Sequence, residues 1–240
     1  MLRGMKSLFV RRNSLCKRRK FELLGELLMK VMILGAAGQI GKMVTDDLLT
    51  QTDFDLVLYG RNVSSRLSDK ASDRVSFVDG EFEEFDKIKD HLVDVDAVYL
   101  SFVAKDNLIK PLVKILEESG IKRFIVASVP DLYQEIEGKF QKWYRANTGI
   151  MWTSPYRKAA DIIEASNLDY VILRITWLYN EDGNTRVHIT EKGEPFVEAQ
   201  VTRQAVSQFI TDLLTNRADY HRASLGLGEP GTEYTKPSFY

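Results

Sequence analysis

The most regular pattern in this sequence is a short apolar run followed by a helix with one apolar face. Residues 31–34 are an uninterrupted Val-Met-Ile-Leu, a length that suits one buried strand. Glycine recurs three times in the next seven residues. Beyond them, apolar side chains recur at three- and four-residue spacing, which predicts an amphipathic helix; these are Ile40, Met43, Val44 and Leu48.

The same alternation continues along the rest of the chain. Apolar runs predict further strands, and segments with an apolar residue every third or fourth position predict helices between them. The predicted strands are 54–59, 74–78, 96–101, 123–128, 170–174 and 223–227, and the later predicted helices are 156–166 and 205–214. Strands that alternate with helices form βαβ units. We therefore predict an α/β fold, a Rossmann-type doubly wound parallel β-sheet flanked by helices, in one domain over residues 29–240.

Residues 1–28 differ in composition from the rest of the chain. They contain eight Lys or Arg residues and two acidic residues. This composition resembles a transit peptide, and it also suits a basic arm for anionic surfaces. The simplest interpretation is a basic N-terminal extension that lies outside the fold.

Composition excludes several classes of function. The formal net charge of −1 argues against a nucleic-acid-binding protein. Cys16 is the only cysteine, so no intramolecular disulfide can form, which favours a reducing, cytoplasmic location. No apolar run reaches the roughly 18 residues that a membrane span requires. The histidines are scattered along the sequence and give no metal-ligand spacing, so we predict no metal site.

The glycine turn predicts a phosphate-binding site. Gly35 permits a tight turn, Gly38 lets the backbone approach a pyrophosphate, and Gly41 lets the helix pack close to the strand. The free N–H groups at the start of the helix would face the anion. An ordinary structural turn is the alternative, because turns commonly contain glycine. The predicted contacts with a dinucleotide in this turn are Gly35, Ala37, Gly38, Gln39, Ile40 and Gly41.

The end of the second predicted strand bears on which dinucleotide binds. NAD sites generally place an acidic residue there for the ribose, whereas NADP sites place an arginine near the 2′-phosphate. The strand ends in Tyr59-Gly60-Arg61, without an acidic residue. We therefore predict NADP(H) as the preferred cofactor, with NAD as the alternative and Arg61 as the residue that contacts it.

The order of these motifs resembles the atypical short-chain dehydrogenase/reductases. It is most similar to the NmrA-like, NAD(P)H-binding group, which includes flavin, biliverdin and quinone reductases. The resemblance spans residues 31–227 and is strongest where the helix beginning at Tyr156 leads into Tyr-Val-Ile-Leu-Arg at 170–174. Ile175 departs from the family, which usually has proline at this point.

The resemblance assigns a role to the residues that follow the third predicted strand. It implies that Asp79, with Gly80 beside it, contacts the adenine of the cofactor. The residues alone equally allow Asp79 to cap the turn before the next helix.

Chemistry in a doubly wound sheet takes place beyond the carboxyl ends of the strands. This rule predicts that Phe102, Val103, Ser128 and Thr176 lie near the nicotinamide. The catalytic candidates are Lys158, Ser128 and Tyr156. Short-chain dehydrogenases use a Tyr-x-x-x-Lys pair, in which the tyrosine donates a proton to the reduced carbonyl.

The Tyr-x-x-x-Lys pair is broken in this chain. Lys158 occupies the lysine position and could bind ribose or phosphate, or simply be a solvated helix residue. Ser154 stands four residues earlier, where the tyrosine is expected. Tyr156 lies about 200° around the helix from Lys158, so the two side chains cannot share a face.

Because the tyrosine that usually donates the proton is absent, the sequence favours an acceptor that can take its proton from solvent. A quinone or flavin spreads the negative charge over a conjugated ring, so solvent can supply the proton. Aromatic residues in the connection 131–155 could form a flat pocket for such an acceptor, or they could only pin this segment to the sheet. We therefore expect a reductase that passes hydride from NADPH to a small conjugated molecule. The alternative is a non-catalytic NAD(P)-sensing regulator, and either form would be a monomer or a homodimer.

Overall fold

In the computed structural model of the protein, the described residues are 29–240, and they contain an eight-stranded sheet. The predicted basic extension lies outside these residues. Across the sheet the strand order is β3-β2-β1-β4-β5-β6-β10-β8, and the first seven strands in this order are parallel. The strands are β1 (Lys30–Leu34), β2 (Asp55–Gly60), β3 (Val75–Asp79), β4 (Ala97–Leu100), β5 (Arg123–Ser128), β6 (Asp169–Ile175), β7 (Trp177–Tyr179), β8 (His188–Thr190), β9 (Gln200–Thr202) and β10 (Ala223–Gly228).

Helices cover both faces of the sheet. The longer ones are α1 (Gln39–Gln51), α4 (Asp106–Glu118), α5 (Gly138–Thr148), α6 (Pro155–Glu164) and α7 (Arg203–Leu214), and the short ones are α2 (Val63–Arg66) and α3 (Phe85–Asp90). Helices α1 and α7 bury their apolar faces in one cluster, on one side of the sheet. Helices α3, α4 and α6 pack into the second cluster. Burial on both faces explains why the central strands are continuous apolar runs.

The predicted doubly wound, largely parallel sheet is confirmed. Strand β1 lies between β2 and β4, and Leu34 pairs with both Tyr59 and Leu100. The chain direction of β1 therefore places the glycine turn at the carboxyl edge of the sheet. Gly120 has a φ of +72° directly after α4, as a glycine that ends a helix requires.

Three short strands and two helices, α2 and α5, were not predicted. Strand β8 pairs antiparallel with β10, while β7 and β9 pair with each other in a separate two-stranded sheet. Each has only three residues, too few for a periodic pattern. The expectation of a long loop between β5 and α6 is wrong, because α5 occupies its centre. In the described part of the chain, no helix is both long enough and apolar enough to span a bilayer.

Candidate functional site

The glycine turn is held at the end of β1 by backbone hydrogen bonds. Gly35 has a φ of +83°, a conformation that a residue with a Cβ rarely adopts. Its N–H donates to the Tyr59 carbonyl at 2.9 Å, and the N–H of Gly38 donates to the Gly35 carbonyl at 3.0 Å. A Cβ at Gly35 would lie 2.7 Å from the Ser101 Oγ. Gly35 is therefore required by both its conformation and its surroundings.

Gly38 and Gly41 face different surroundings. A Cβ at Gly41 would lie 2.7 Å from the Gly35 carbonyl oxygen and 2.8 Å from the Ala36 carbonyl oxygen. Gly41 therefore permits the close approach of helix and strand, as its position predicts. Gly38 is exposed, has an ordinary φ of −72°, and would place a Cβ no closer than 3.2 Å to the Gly35 oxygen. The backbone conformation at this position does not require glycine, although an added Cβ would be in tight contact with the turn.

The first turn of α1 offers backbone donors to an anion. Gly38 is the N-cap, no side chain caps the helix, and its first turn contains no acidic residue. Gln39 is exposed, whereas Ala37 and Ile40 are buried beneath the turn. Uncapped N–H groups and the positive end of a helix favour a bound phosphate. The arrangement fits a pyrophosphate lying across Gly38.

Arg66 is a further candidate that the sequence pattern did not reveal. It ends the four-residue helix α2, and its guanidinium Nη2 donates to the Ala37 carbonyl at 2.8 Å. Its side chain is exposed and forms no ion pair within residues 29–240. A positive charge therefore lies directly beside the glycine turn. Only the folding of β2 and α2 around the turn brings it there.

The ends of β2 and β3 form the neighbouring part of the site. Arg61 is 75% exposed, and its Nε lies 3.9 Å from the Glu81 carboxylate. Although β2 itself ends without an acidic residue, Glu81 from beyond β3 places a carboxylate beside Arg61. Gly80 lies between these elements, and a Cβ there would be 2.3 Å from the Tyr59 Oη. Gly80 is required by packing against Tyr59, whatever it contacts in a ligand.

Asp79 has a structural partner that differs from the predicted one. Its carboxylate accepts hydrogen bonds from the N–H of Ser64, at 3.0 Å, and from the Ser64 hydroxyl. These bonds hold the pKa of Asp79 below its usual range. The carboxylate therefore binds the start of the preceding helix α2. The expected capping of the turn before the following helix is wrong, because the parallel pairing of β2 and β3 brings Ser64 within reach instead.

The residues after β4 lie against the glycine turn. The Ser101 hydroxyl donates to the Gly35 carbonyl at 2.8 Å. Phe102 packs edge-on against Phe82, with ring centroids 4.8 Å apart, while Val103 is 38% exposed. These contacts place one partly buried ring and one exposed apolar side chain beside the turn.

No hydrogen bond within residues 29–240 joins the candidate catalytic side chains to one another. Ser154 is the N-cap of α6, where its Oγ donates to the Met151 carbonyl at 2.6 Å and accepts from the N–H of Arg157. The side chain of Lys158 is exposed, and its ammonium group makes no hydrogen bond or ion pair with another residue of the described range. Tyr156 packs between two apolar clusters, and Ser128 is buried at the end of β5. Helix capping thus explains the serine that stands in the usual tyrosine position.

A cavity of about 410 Å³ opens beyond the carboxyl ends of β5 and β6. Val129 and Pro130 line it from the β5 side, and Thr176 and Trp177 line it from the β6 side. The Thr176 hydroxyl is turned away to the Glu198 carbonyl, at 3.2 Å, so Thr176 presents little polarity to the cavity. The cavity has the volume of a small-molecule site.

Aromatic rings form much of the cavity wall, but most come from parts of the chain that were not expected there. Of the aromatic residues in 131–155, only Tyr144 reaches the cavity. Phe140 is fully buried, and Trp143 stacks on it at 5.7 Å between ring centroids. The other rings are Trp177, which follows β6, and Phe239 and Tyr240. The segment 131–155 therefore both pins itself to the fold and contributes one ring to the cavity.

A doubly wound parallel sheet with an uncapped glycine turn at its carboxyl edge defines the class of Rossmann-type dinucleotide-binding proteins. The comparison with known families assigns the chain within this class: it belongs to the NAD(P)H-binding family, whose model matches residues 35–217. The resemblance to the short-chain dehydrogenase/reductases is confirmed.

Solved structures and a curated relative agree with this assignment. A short-chain dehydrogenase/reductase of the wide type from Veillonella parvula, solved in complex with NADP, is 37% identical, with a TM-score of 0.82 over 88% of this chain and 99% of the other. A Rossmann-fold NAD(P)-binding protein from Shigella flexneri is 26% identical, with a TM-score of 0.72 over 88% and 99%. A UPF0659 protein of Saccharomyces cerevisiae is 26% identical over 78% of this chain and 87% of its own length.

Proposed function

We propose that the protein is a reductase that transfers hydride from NADPH to a small conjugated acceptor, such as a quinone or a flavin. The observation that carries this proposal is the position of the aromatic cavity on the same edge of the sheet as the glycine turn. A dinucleotide is long enough to connect the two places. The glycine turn follows β1, and strands β1 and β5 are two steps apart in the sheet, or about 10 Å at the usual spacing between strands.

The candidate cofactor residues are arranged along the carboxyl edge of the sheet, from β3 and β2 at one side to β5 at the other. Arg61 and Asp79 lie beyond β2 and β3, where we place the adenosine. The pyrophosphate would lie on the N–H groups around Gly38, next to Arg66. Phe102 and the cavity beyond β5 would then flank the nicotinamide. The relative from Veillonella parvula, solved with NADP, supports the choice of NADPH.

The reaction would consume one NADPH and one proton for each two-electron reduction of the acceptor. Bound NADPH supplies the hydride. Aromatic walls such as Trp177 and Tyr144 would hold a flat ring and align it, which is the main contribution that a conjugated acceptor needs. Ser154 stands where the proton-donating tyrosine usually lies, and its hydroxyl donates to the Met151 carbonyl instead. A proton from solvent would then complete the reduction of an oxygen or nitrogen on the ring.

Steady-state oxidation of NADPH tests this proposal. We expect quinones and flavins to be reduced at least tenfold faster than simple aldehydes at equal concentration, because an alkoxide needs an acid that the site lacks. Variant Trp177→Ala should lower kcat/KM for quinones and leave the Kd of NADPH unchanged.

Two outcomes would contradict the proposal. Equal turnover of aliphatic aldehydes would show that an efficient proton donor exists. Tight NADPH binding with no turnover of any acceptor would instead indicate a dinucleotide-sensing regulator.

The preference for NADPH is tested at Arg61. If its guanidinium contacts the 2′-phosphate, Arg61→Ala should weaken NADPH binding by about 1.5–3 kcal/mol, the range for a hydrogen bond to a charged group. Affinity for NADH should change little, since NADH lacks this phosphate. Part of the effect should fade with added salt, because Arg61 is exposed. Calorimetric titration with both cofactors measures the difference.

Arg66→Ala is the matched control for this experiment. Arg66 contacts the glycine turn, so its loss should weaken NADPH and NADH to the same extent. Equal weakening of both cofactors by Arg61→Ala would show that Arg61 does not distinguish the 2′-phosphate. Glu81→Gln should strengthen NADPH binding slightly, because it removes the acid that lies beside Arg61.

A further inference from the structure

We infer that the acceptor is an acid: a flat conjugated molecule whose carboxylate pairs with Arg203 in the aromatic cavity. This inference rests on the proposed function, because it takes the cavity beyond β5 and β6 as the acceptor site. It deepens that proposal by naming the charge of the substrate.

Arg203 belongs to the wall of the cavity. It is the first residue of α7, directly after the N-cap Thr202, and it lines the cavity together with Trp177 and Tyr240. Its side chain is half-buried, and burial lowers its pKa below the usual value. The guanidinium nevertheless stays protonated, since an arginine does not lose its proton in a protein. The cavity therefore contains a fixed, partly desolvated positive charge.

No acidic residue in the described range neutralises this charge. The single hydrogen bond of the Arg203 guanidinium goes to a neutral group, the Asn180 Oδ1, at 3.3 Å. The nearby acidic side chains have other partners. Glu181 accepts from the Asn184 amide at 2.7 Å, and Asp182 accepts from the Gln204 amide at 3.3 Å.

The other shielded arginines of the described range are paired with carboxylates or, like Arg74, donate to two backbone carbonyls, at 2.6 Å (Thr52) and 2.8 Å (Leu49). Arg174 pairs with Glu135, Arg123 lies 2.8 Å from Asp169, and Arg145 lies 2.7 Å from Asp131. Burying a charge without partners costs free energy, so the fold supplies each of these arginines with a carboxylate or with more than one carbonyl acceptor. Arg203 departs from this rule at the wall of the candidate acceptor cavity. An anionic group of the substrate would supply the missing partner.

The rest of the cavity restricts what else the acceptor can be. Among the side chains of residues 29–240 that line it, none is acidic, and Arg203 is the one that carries a charge. The first turn of α7 also lacks an acidic residue, so the positive end of this helix adds to the attraction for an anion. Rings of Trp177, Tyr144 and Tyr240 present faces and edges suited to a flat ring system. An arginine fork binds a carboxylate through two parallel hydrogen bonds.

A matched pair of quinones tests the inference. The probes are phenanthrenequinone-2-carboxylate and its neutral 2-carboxamide, each reduced with NADPH under steady-state conditions. We expect kcat/KM of the wild-type protein to favour the carboxylate by about tenfold or more, since 1.4 kcal/mol corresponds to a factor of ten. Arg203→Met should remove this preference, and Arg203→Lys should restore part of it because the charge returns.

Two control variants separate binding from a structural role. Lys114→Met removes an exposed charge on α4 and should leave the preference intact. Asn180→Ala removes the hydrogen-bond partner of Arg203 and should also leave it intact. If Asn180→Ala abolished the preference as Arg203→Met does, Arg203 would act by positioning the loop after β7, and the inference would be wrong.

The direct binding of the probes distinguishes failure of the inference from failure of the proposed function. Quenching of tryptophan fluorescence reports binding, because Trp177 lies in the cavity wall. Turnover of both quinones with no dependence on Arg203 would overturn the inference and leave the reductase standing. Binding of the carboxylate that depends on Arg203, without any oxidation of NADPH, would support the anionic site and overturn the reductase.

Discussion

Gly38→Val is expected to weaken NADPH binding about 100-fold or more, equivalent to about 2.7 kcal/mol, while the protein stays folded. The added side chain would occupy the path by which a pyrophosphate reaches the N–H groups of α1. We expect the fold to accept valine because Gly38 is exposed and has a φ of −72°, which valine also adopts, and because a shift of a few tenths of an ångström relieves the 3.2 Å contact of its Cβ with the Gly35 oxygen. The free energy of unfolding should change by less than about 1 kcal/mol, as for most exposed substitutions. Calorimetric titration and denaturant unfolding measure the two effects.

Gly41→Val is the control that reverses this pattern. Its Cβ would collide with the backbone oxygens of Gly35 and Ala36, so helix α1 could not pack against β1. We expect a loss of stability of several kcal/mol, in the range of overpacked core substitutions. A folded Gly38→Val variant with unchanged affinity for NADPH would show that the dinucleotide does not bind at this turn.

The second large effect is expected at Glu135, a buried acid in the segment between β5 and α5. Glu135→Gln should lower the free energy of unfolding by about 3–5 kcal/mol, because it leaves the charge of Arg174 buried without a counter-charge. Arg174 is fully buried and pairs with Glu135. The other Glu135 oxygen accepts from the N–H of Gly193 at 2.5 Å. Thermal unfolding should show a midpoint lower by about 6–20 °C for a chain of this size.

An exposed ion pair provides the control for Glu135. Glu118→Gln removes the partner of Lys89 on the protein surface, where both side chains are more than 40% exposed. The free energy of unfolding should fall by less than about 1 kcal/mol. A similarly small effect of Glu135→Gln would mean that Arg174 finds water or another partner. The buried pair would then contribute no more to the free energy of unfolding than an exposed pair does.

The Glu135–Arg174 pair also bears on the candidate acceptor site. The Glu135 carbonyl accepts from the N–H of Phe196 at 2.8 Å, so this residue ties the segment before α5 to the segment before β9. Helix α5 carries Tyr144 into the cavity wall, and β9 leads directly into Arg203. Glu135 therefore joins these two segments through its backbone carbonyl, while its side chain is anchored to Arg174 of β6.

Local patterns of the sequence were sufficient for the parallel strands of the large sheet and for the glycine turn. A strand that is buried on both faces must be apolar throughout, so residues 31–34 could be assigned to a strand from the sequence. A tight turn at positive φ requires glycine, so Gly35 could be assigned to the turn. Gly41 could also be assigned from the sequence, because the short turn brings the start of the helix so close to Gly35 that a Cβ has no room. These features depend on neighbours within about ten residues along the chain.

Sequence patterns could not predict the partners that come from distant segments. Asp79 binds Ser64 because β2 and β3 pair in parallel, and Glu81 approaches Arg61 for the same reason. Ser154 illustrates a different limit: a serine in the place of the catalytic tyrosine suggests a lost function, whereas the structure shows a helix cap.

The tertiary structure alone decided the form of the candidate acceptor site. Tyr144, Trp177 and Arg203 belong to three separate elements, and Tyr240 lies far along the chain from each of them. No spacing rule connects such residues, because a cavity is defined by how elements pack and not by what lies between them in sequence. The lack of a carboxylate partner for Arg203 also follows only from the structure, because the nearby Glu181 accepts a hydrogen bond from Asn184 instead. The sequence by itself determined a dinucleotide-binding fold, and packing decided which side chains meet at its edge.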